Sequence, residues 1–293
     1  MLKAQEANRP VKIEILMLLV ATYFACAKNS PNGFFERNTW IKTSSIISEL
    51  LVDLQSHNID MKKQKPEVKK DDDDGADLDT FLSIGDAQIL PGIVNFIDKL
   101  DQQLFKAFQV LSNTSIEYLQ RLRDECILIK MCDSVIDYLR KHDDKQKIAH
   151  IGLIKLDHIY YKHDSIYEKT KEALKGKADK LKDLYFIEGA SADVVNDLVV
   201  QVITTCDRKM KIKATLLQVY HLSIHNKFYE AKDLLMKARL SHIITKQQIS
   251  NQILYNRAIV QIGLSAFRLG LFDECNQILV DVCQSPKLKE SLA

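Results

Sequence analysis

Two ten-residue segments in the last third of the chain share one pattern and lie 44 positions apart. Residues 226–235 read NKFYEAKDLL and residues 270–279 read GLFDECNQIL, and each follows an apolar run with helical spacing. Repeats of about this length, built from two helices and a turn, are typical of solenoids in which neighbouring units bury a continuous core. The alternative is two unrelated helical hairpins with coincidentally similar turns. Because several positions match, a solenoid is favoured.

The repeated pattern assigns a packing role to particular positions. Asn226 or Gly270 ends the first helix in a left-handed conformation that these residues tolerate. The aromatic residue two positions later is expected to turn inward, and a small residue three positions after it lets the helices approach. Gly263 lies seven residues before Gly270, as in the tetratricopeptide consensus. The predicted repeat-packing anchors are Phe228, Ala231, Gly263, Phe267, Gly270, Phe272 and Cys275, with Phe228 and Phe272 equivalent.

Composition extends the helical interpretation to the rest of the chain. Its 293 residues include only 9 Gly and 5 Pro, too few for the turns of a sandwich or a barrel. The offset of 44 exceeds a tetratricopeptide period of about 34 and is nearer to the HEAT range, so residues 241–252 are expected to form a longer link. The chain is therefore predicted to be all-α, with antiparallel helical hairpins leading into a tetratricopeptide/HEAT-like right-handed solenoid.

Changes in composition along the chain predict five regions. Lysines at 62–70 and four aspartates at 71–74 cannot bury apolar surface, and the aspartates lack the alternate spacing and final Glu of a Ca²⁺ loop. The regions are an N-terminal helical segment (1–59), a charged flexible linker (60–80), a helical hairpin region (81–162), a polar connection (163–190) and the repeats (191–293).

The helical hairpin is predicted from apolar stripes at 93–111 and 116–139. Ile116 and Leu119 begin the second stripe, and Thr114 or Ser115 is expected to cap its helix.

The first apolar run, from Val11 to Ala27, has two interpretations. It follows basic residues and ends in Ala25-Cys26-Ala27, which resembles a signal-peptide cleavage site. However, Glu14 lies at the start of the run, and the six cysteines of the chain lie in apolar helical patterns without disulfide spacing. A buried core helix in a reduced, intracellular protein is favoured.

A search for catalytic or metal-binding patterns yields no candidate. His221 and His225 have the spacing of a zinc pair, but Leu222 occupies the position where the metalloprotease motif needs Glu. Surface or capping histidines are favoured over ligands. The sequence has no nucleophile elbow, phosphate-binding Gly loop or dinucleotide fingerprint. We therefore expect no enzyme activity, cofactor or metal, while the hypothesis of an enzyme that uses the histidines predicts bound metal.

A basic cluster precedes the first repeat. Arg208, Lys209, Lys211 and Lys213 are a candidate contact patch for RNA or the ribosome, since cations there can neutralise phosphates. The net charge of only +2 and the lack of interleaved aromatic residues favour a solvated helix start.

Three stretches carry a resemblance to a known family. Residues 252–270 read QILYNRAIVQIGLSAFRLG, which resembles the signature of the C subunit of eukaryotic translation initiation factor 3. Tyr160-Tyr161 is similar to the paired-tyrosine segment of that family, and Trp40 with 49–51 is similar to an upstream helix. Together these matches span most of the chain.

The resemblance implies a non-catalytic scaffold subunit of that initiation factor, located in the cytoplasm. Its implied partners are the other subunits, the small ribosomal subunit and ribosomal RNA or mRNA, without a membrane or small-molecule substrate. In the family, the repeats lead into a winged helix, together called a PCI domain, which is expected to begin where this sequence stops. We also expect the sequence to depart from the family in lacking its long N-terminal extension. The alternative is a PCI-type scaffold of another assembly, such as the proteasome lid or the signalosome.

Overall fold

Helices make up nearly all of the described part of the chain. The computed structural model describes residues 9–28, 33–56, 89–175, 184–187 and 189–284, and these contain eleven α-helices, two short 3₁₀ helices and no strand. The α-helices are α1 (Arg9–Lys28), α2 (Arg37–Ser56), α3 (Ile89–Val110), α4 (Ile116–Lys141), α5 (Lys145–Ile159), α6 (Asp164–Ala173), α7 (Ser191–Thr205), α8 (Arg208–Ile224), α9 (Phe228–Lys237), α10 (Ile249–Arg268) and α11 (Phe272–Cys283). The all-α prediction is confirmed.

The chain divides into two compact units, Met1–His142 and Asp143–Ala293. The first unit holds α1 to α4 and the second holds α5 to α11. The predicted linker at 60–80 lies outside the described residues, and the five-part division stays a prediction.

In the first unit, α1 is buried along one face only. Ile13, Val20 and Phe24 are buried, whereas Ile15 and Leu18 are exposed. The prediction of a buried core helix is therefore correct for the face that carries Ile13, Val20 and Phe24, which packs with α2 and α3. It is wrong for the face that carries Ile15 and Leu18. No helix in the described residues is long and apolar enough to span a bilayer.

Helix α4 begins at the predicted cap but buries a different face. Ser115 accepts a hydrogen bond from Tyr118 N at 3.1 Å, which confirms the capping prediction. Ile116 is 76% exposed and Leu119 is 59% exposed, so the predicted apolar stripe is wrong over the first turns. Arg121 and Asp124 are buried there instead.

An ion pair and a hydrogen bond with residues at and just before the start of α2 explain which face of α4 is buried. Arg37 donates two hydrogen bonds of 2.7 Å to the Asp124 carboxylate, and Arg121 Nη2 donates to Phe35 O at 2.5 Å. A buried carboxylate needs such partners, because an unpaired charge away from water is costly. The paired polar groups therefore turn this face of α4 toward the core.

Successive helices of the second unit pack side by side. Helix α7 lies against α5, α8 against α7, and α10 against α8, while α9 and α11 each pack on the helix before them. The link between α9 and α10 contains the 3₁₀ helices Leu240–His242 and Ile244–Lys246, and the predicted link at 241–252 is wrong at its end because α10 already begins at Ile249. The arrangement is consistent with a helical-repeat solenoid.

Gly263 allows α10 and α11 to approach closely. A Cβ atom at this position would lie 2.5 Å from Leu279 Cδ2 and 2.6 Å from Leu279 Cγ, well inside van der Waals contact. Since the Cγ atom is also too close, rotation of the terminal methyl groups alone cannot relieve the overlap.

Replacing Gly263 by Ala is therefore expected to destabilise the second unit. Alanine gains about 1 kcal/mol of helix propensity, but overpacking costs about 1–3 kcal/mol. We expect the free energy of unfolding to fall by about 1 kcal/mol, measured by circular dichroism in urea. Gly152→Ala is the matched control, because the nearest atom to its Cβ is Leu198 Cδ2 at 3.3 Å. A Gly263→Ala protein more stable than the Gly152→Ala protein would contradict this packing.

Candidate protein-interaction site

The first repeat turn has the geometry that its sequence predicts. Asn226 has a φ of 60° and Gly270, its counterpart, has a φ of 78°, both in the left-handed region. Phe228 is only 1% exposed, and Ala231 beside it is fully buried. Helix α9, which carries both residues, packs against α8 and α10. Phe228 thus lies in the core of the unit.

The second repeat turn does not bury its aromatic residues. Phe272 is 63% exposed and Phe267 is 58% exposed, although Cys275 and Gly263 are buried. The prediction that Phe272 is an inward-facing equivalent of Phe228 is therefore wrong, as is inward packing of Phe267. Helix α9 is flanked by α8 and α10, whereas α11 packs mainly against α10 within the described helices.

The exposed aromatic residues form a defined apolar surface. The rings of Phe267 and Phe272 meet edge to face with centroids 5.7 Å apart, and Leu264 is exposed one turn earlier on α10. We call Leu264, Phe267 and Phe272 the terminal aromatic patch. Exposed aromatic rings that contact each other are a candidate site for contact with another protein.

The predicted basic cluster is split by the structure. Arg208 and Lys209 are exposed at the start of α8, and Lys211 is partly exposed one turn on. Lys213 instead forms an ion pair with Asp157 on α5. Three of the four cations therefore remain as a candidate phosphate-binding patch, and the fourth joins two helices.

Histidines form a cluster that the sequence did not predict. His225 caps the end of α8, as one of the two interpretations had it, but His221 is buried and is not a surface residue. His221 Nδ1 lies 2.9 Å from Tyr160 O, and its Nε2 lies 3.0 Å from Ser191 Oγ. Burial lowers the pKa of His221 to about 4. His163 stacks on His225 with ring centroids 4.4 Å apart.

These contacts account for both ring nitrogens of His221 within the fold. In the described residues, no group of three or more His, Cys, Asp or Glu side chains has the arrangement of a metal site. His163 lies far from His221 in the sequence, and no local pattern connects them. His163 stacks on His225 because the turn after α5 meets the end of α8.

Arg268 links the end of α10 to the first repeat turn. Its Nε donates to Asn226 Oδ1 at 2.5 Å and its Nη2 donates to Ser223 O at 2.8 Å. The Asn226 side chain therefore provides a contact that Gly270 cannot repeat in the next turn. The two copies of the repeat differ in this bond as well as in the burial of their aromatic residues.

Comparison with known proteins gives consistent matches along the whole chain. The family model described as the N-terminus of eukaryotic translation initiation factor 3 subunit 8 matches residues 2–293. Proteins named as the C subunit of eukaryotic translation initiation factor 3 are similar as well: that of Coccidioides immitis (strain RS) is 30% identical and that of Neosartorya fischeri is 28% identical. In both cases the alignment covers 96% of this chain and 34% of the relative. The chain thus spans about a third of the length of these relatives.

Proposed function

This chain belongs to the family of the N-terminus of eukaryotic translation initiation factor 3 subunit 8, and we propose that it is a non-catalytic scaffold subunit of that factor. In this role it supports assembly of the preinitiation complex on the small ribosomal subunit and recruitment of mRNA. Its partners are the other subunits of the factor and the small ribosomal subunit, in the cytoplasm.

The terminal aromatic patch is the observation that carries a scaffold role. Phe267 and Phe272 are each more than half exposed, and their rings touch each other. Burying an aromatic side chain of this size against a partner stabilises a complex by about 2 kcal/mol. We therefore assign to the patch a direct contact with another subunit of the factor.

The alternative is a PCI-type scaffold of another assembly, such as the proteasome lid or the signalosome. The names of these relatives refer to initiation factor 3 alone, so this alternative is not favoured. Identification of the proteins that copurify with the chain separates the two assemblies.

Removing the terminal aromatic patch is expected to weaken assembly. We expect Phe267→Ser combined with Phe272→Ser to lower the fraction of chain that copurifies with initiation factor 3 subunits by about tenfold or more, since loss of roughly 2 kcal/mol reduces affinity by more than a factor of ten. The measurement is affinity capture of the tagged full chain from extract of its source cells, followed by sucrose-gradient sedimentation.

Tyr229→Ser is the matched control, because Tyr229 is an exposed aromatic residue on α9 outside the patch. The control is expected to copurify as the unsubstituted chain does. If the patch variant keeps its partners while its circular dichroism is unchanged, the patch does not make this contact. If the unsubstituted chain sediments only as free protein, the scaffold role itself is refuted.

Contact with RNA is a second element of the proposal, and it uses Arg208, Lys209 and Lys211. These cations lie at the amino end of α8, where the helix dipole is also positive and the first turn contains no acidic residue. Lys213 is excluded from this role because Asp157 already pairs with it.

Replacing Arg208 and Lys209 by Ser is expected to weaken binding of single-stranded RNA and reduce its salt dependence. Each lost phosphate contact lowers the slope of log K against log salt by about 0.7, so the double substitution lowers it by about 1.4. The measurement is fluorescence anisotropy with labelled polyuridine at several salt concentrations. Lys232→Ser combined with Lys237→Ser removes the same charge from α9 and serves as control. Equal slopes for all three proteins would exclude contact at this patch.

A further inference from the structure

Helix α6 contacts the second unit through polar groups in its first turn. None of its residues is classed as buried. Further along the helix, Tyr167 meets Phe186 edge to face at 6.4 Å, and Lys171 Nζ lies 5.2 Å from the centre of the same ring. Because little apolar surface is removed from water, the polar contacts at the amino end contribute to the docking of α6.

His163 makes the cap of α6 with an unprotonated nitrogen. It is the N-cap residue, and its Nδ1 accepts a hydrogen bond from Ser165 N at 3.1 Å. Acceptance requires the lone pair of a neutral imidazole, because both nitrogens of a charged ring are donors. A proton on Nδ1 could be donated to Ser165 Oγ, which lies 2.9 Å away, but the nitrogen could then no longer accept from Ser165 N, and the cap of the backbone would be lost.

His225 meets the same turn in its neutral form. Its Nδ1 lies 2.9 Å from His221 O and donates to it, which leaves Nε2 to accept from Asp164 N at 3.4 Å. The ring is nearly parallel to that of His163, with an interplanar angle of 10°. A carbonyl on α8 and an amide on α6 thus fix which nitrogen of His225 carries the hydrogen.

The groups around His163 lower its pKa below the ordinary value. Burial lowers the pKa of His163, and the His225 ring and Arg268 on α10 lower it further. The Asp164 carboxylate, which lies 3.6 Å from His225 Nε2, and Glu168 oppose this shift. The other facing groups are His221 on α8 and the backbone carbonyl of Tyr160. The docked His163 ring therefore binds a proton less readily than a ring in water.

We propose that the cap made by His163, stacked on His225, is an acid-labile joint, which docks α6 onto the second unit at neutral pH and releases it on acidification. Because the pKa of His163 in the fold is below its ordinary value of 6.5, the unfolded or released turn binds protons more readily than the docked one. Docking is therefore complete above about pH 6.5 and is lost as the pH falls through the lower, docked pKa.

Amide hydrogen exchange of the intact chain tests this joint. We expect protection of residues 166–173, corrected for intrinsic exchange, to fall between about pH 7.5 and about pH 5.5, by at most about tenfold, which is the limit for one imidazole of ordinary pKa about 6.5. Over the same interval, protection of α10 is expected to change by less than about threefold, since release of α6 is local.

Two variants and one control separate titration from simple loss of structure. Asparagine is a good N-cap that does not titrate, so His163→Asn is expected to keep α6 protected at both pH values. His225→Gln removes the ring that stacks on His163 and is expected to weaken the docking of α6 at both pH values, which tests the stacking contact separately from titration. His242→Asn removes an exposed histidine on a 3₁₀ helix and is expected to behave as the unsubstituted chain.

Three outcomes would overturn the joint. The first is unchanged protection of α6 in the unsubstituted chain across this pH range. The second is loss of protection in α6 and α10 together, which indicates global unfolding. The third is an acid response in the His163→Asn protein as large as that of the unsubstituted chain, which assigns the response to other groups.

Discussion

The second unit depends on the burial of α8 by helices on several sides. Helices α5, α7, α9 and α10 all pack against it, so its polar residues also lie in the core. Buried hydroxyl and imidazole groups need hydrogen-bond partners, and here the partners lie at the ends of neighbouring helices. His221 contacts Tyr160 O and Ser191, while the Ser223 carbonyl accepts from Arg268. These bonds fix the ends of α5, α7 and α10 against one central helix.

Local pattern was sufficient to predict most of the helices and both repeat turns, because those features depend on nearby residues, but α6 lies in the stretch that was predicted as a polar connection. Asn226 and Gly270 take the left-handed conformation wherever a helix must stop and the chain must reverse. Burial is different, since it depends on what covers a residue. Phe228 and Phe272 occupy the same place in the repeat. Phe228 is buried because α9 packs against both α8 and α10, whereas Phe272 is exposed because α11 packs mainly against α10 among the described helices. No property of either segment could distinguish them.

The prediction of which face of α4 is buried failed for a related reason. Apolar spacing pointed Ile116 and Leu119 inward, but the buried face there carries Arg121 and Asp124. The partner of Asp124 is Arg37, 87 positions away in the sequence, and periodicity contains no information about that pair. Periodicity also contains no information about the histidine cluster, because His163 and His225 are far apart in the sequence of the second unit. Polar groups whose partners are distant in sequence are the features that sequence patterns identify least well.

The end of α10 contributes to both the terminal aromatic patch and the surroundings of the histidine cluster. Phe267 belongs to the terminal aromatic patch, and the next residue, Arg268, faces the histidine cluster and holds the first repeat turn through Asn226. Two adjacent residues of one helix therefore differ in what they contact, because Phe267 exposes its ring beside Phe272 while Arg268 binds the turn that ends α8. Neighbouring positions on a helix point in directions about 100° apart, so one turn of α10 can present apolar surface and also fix the first repeat turn.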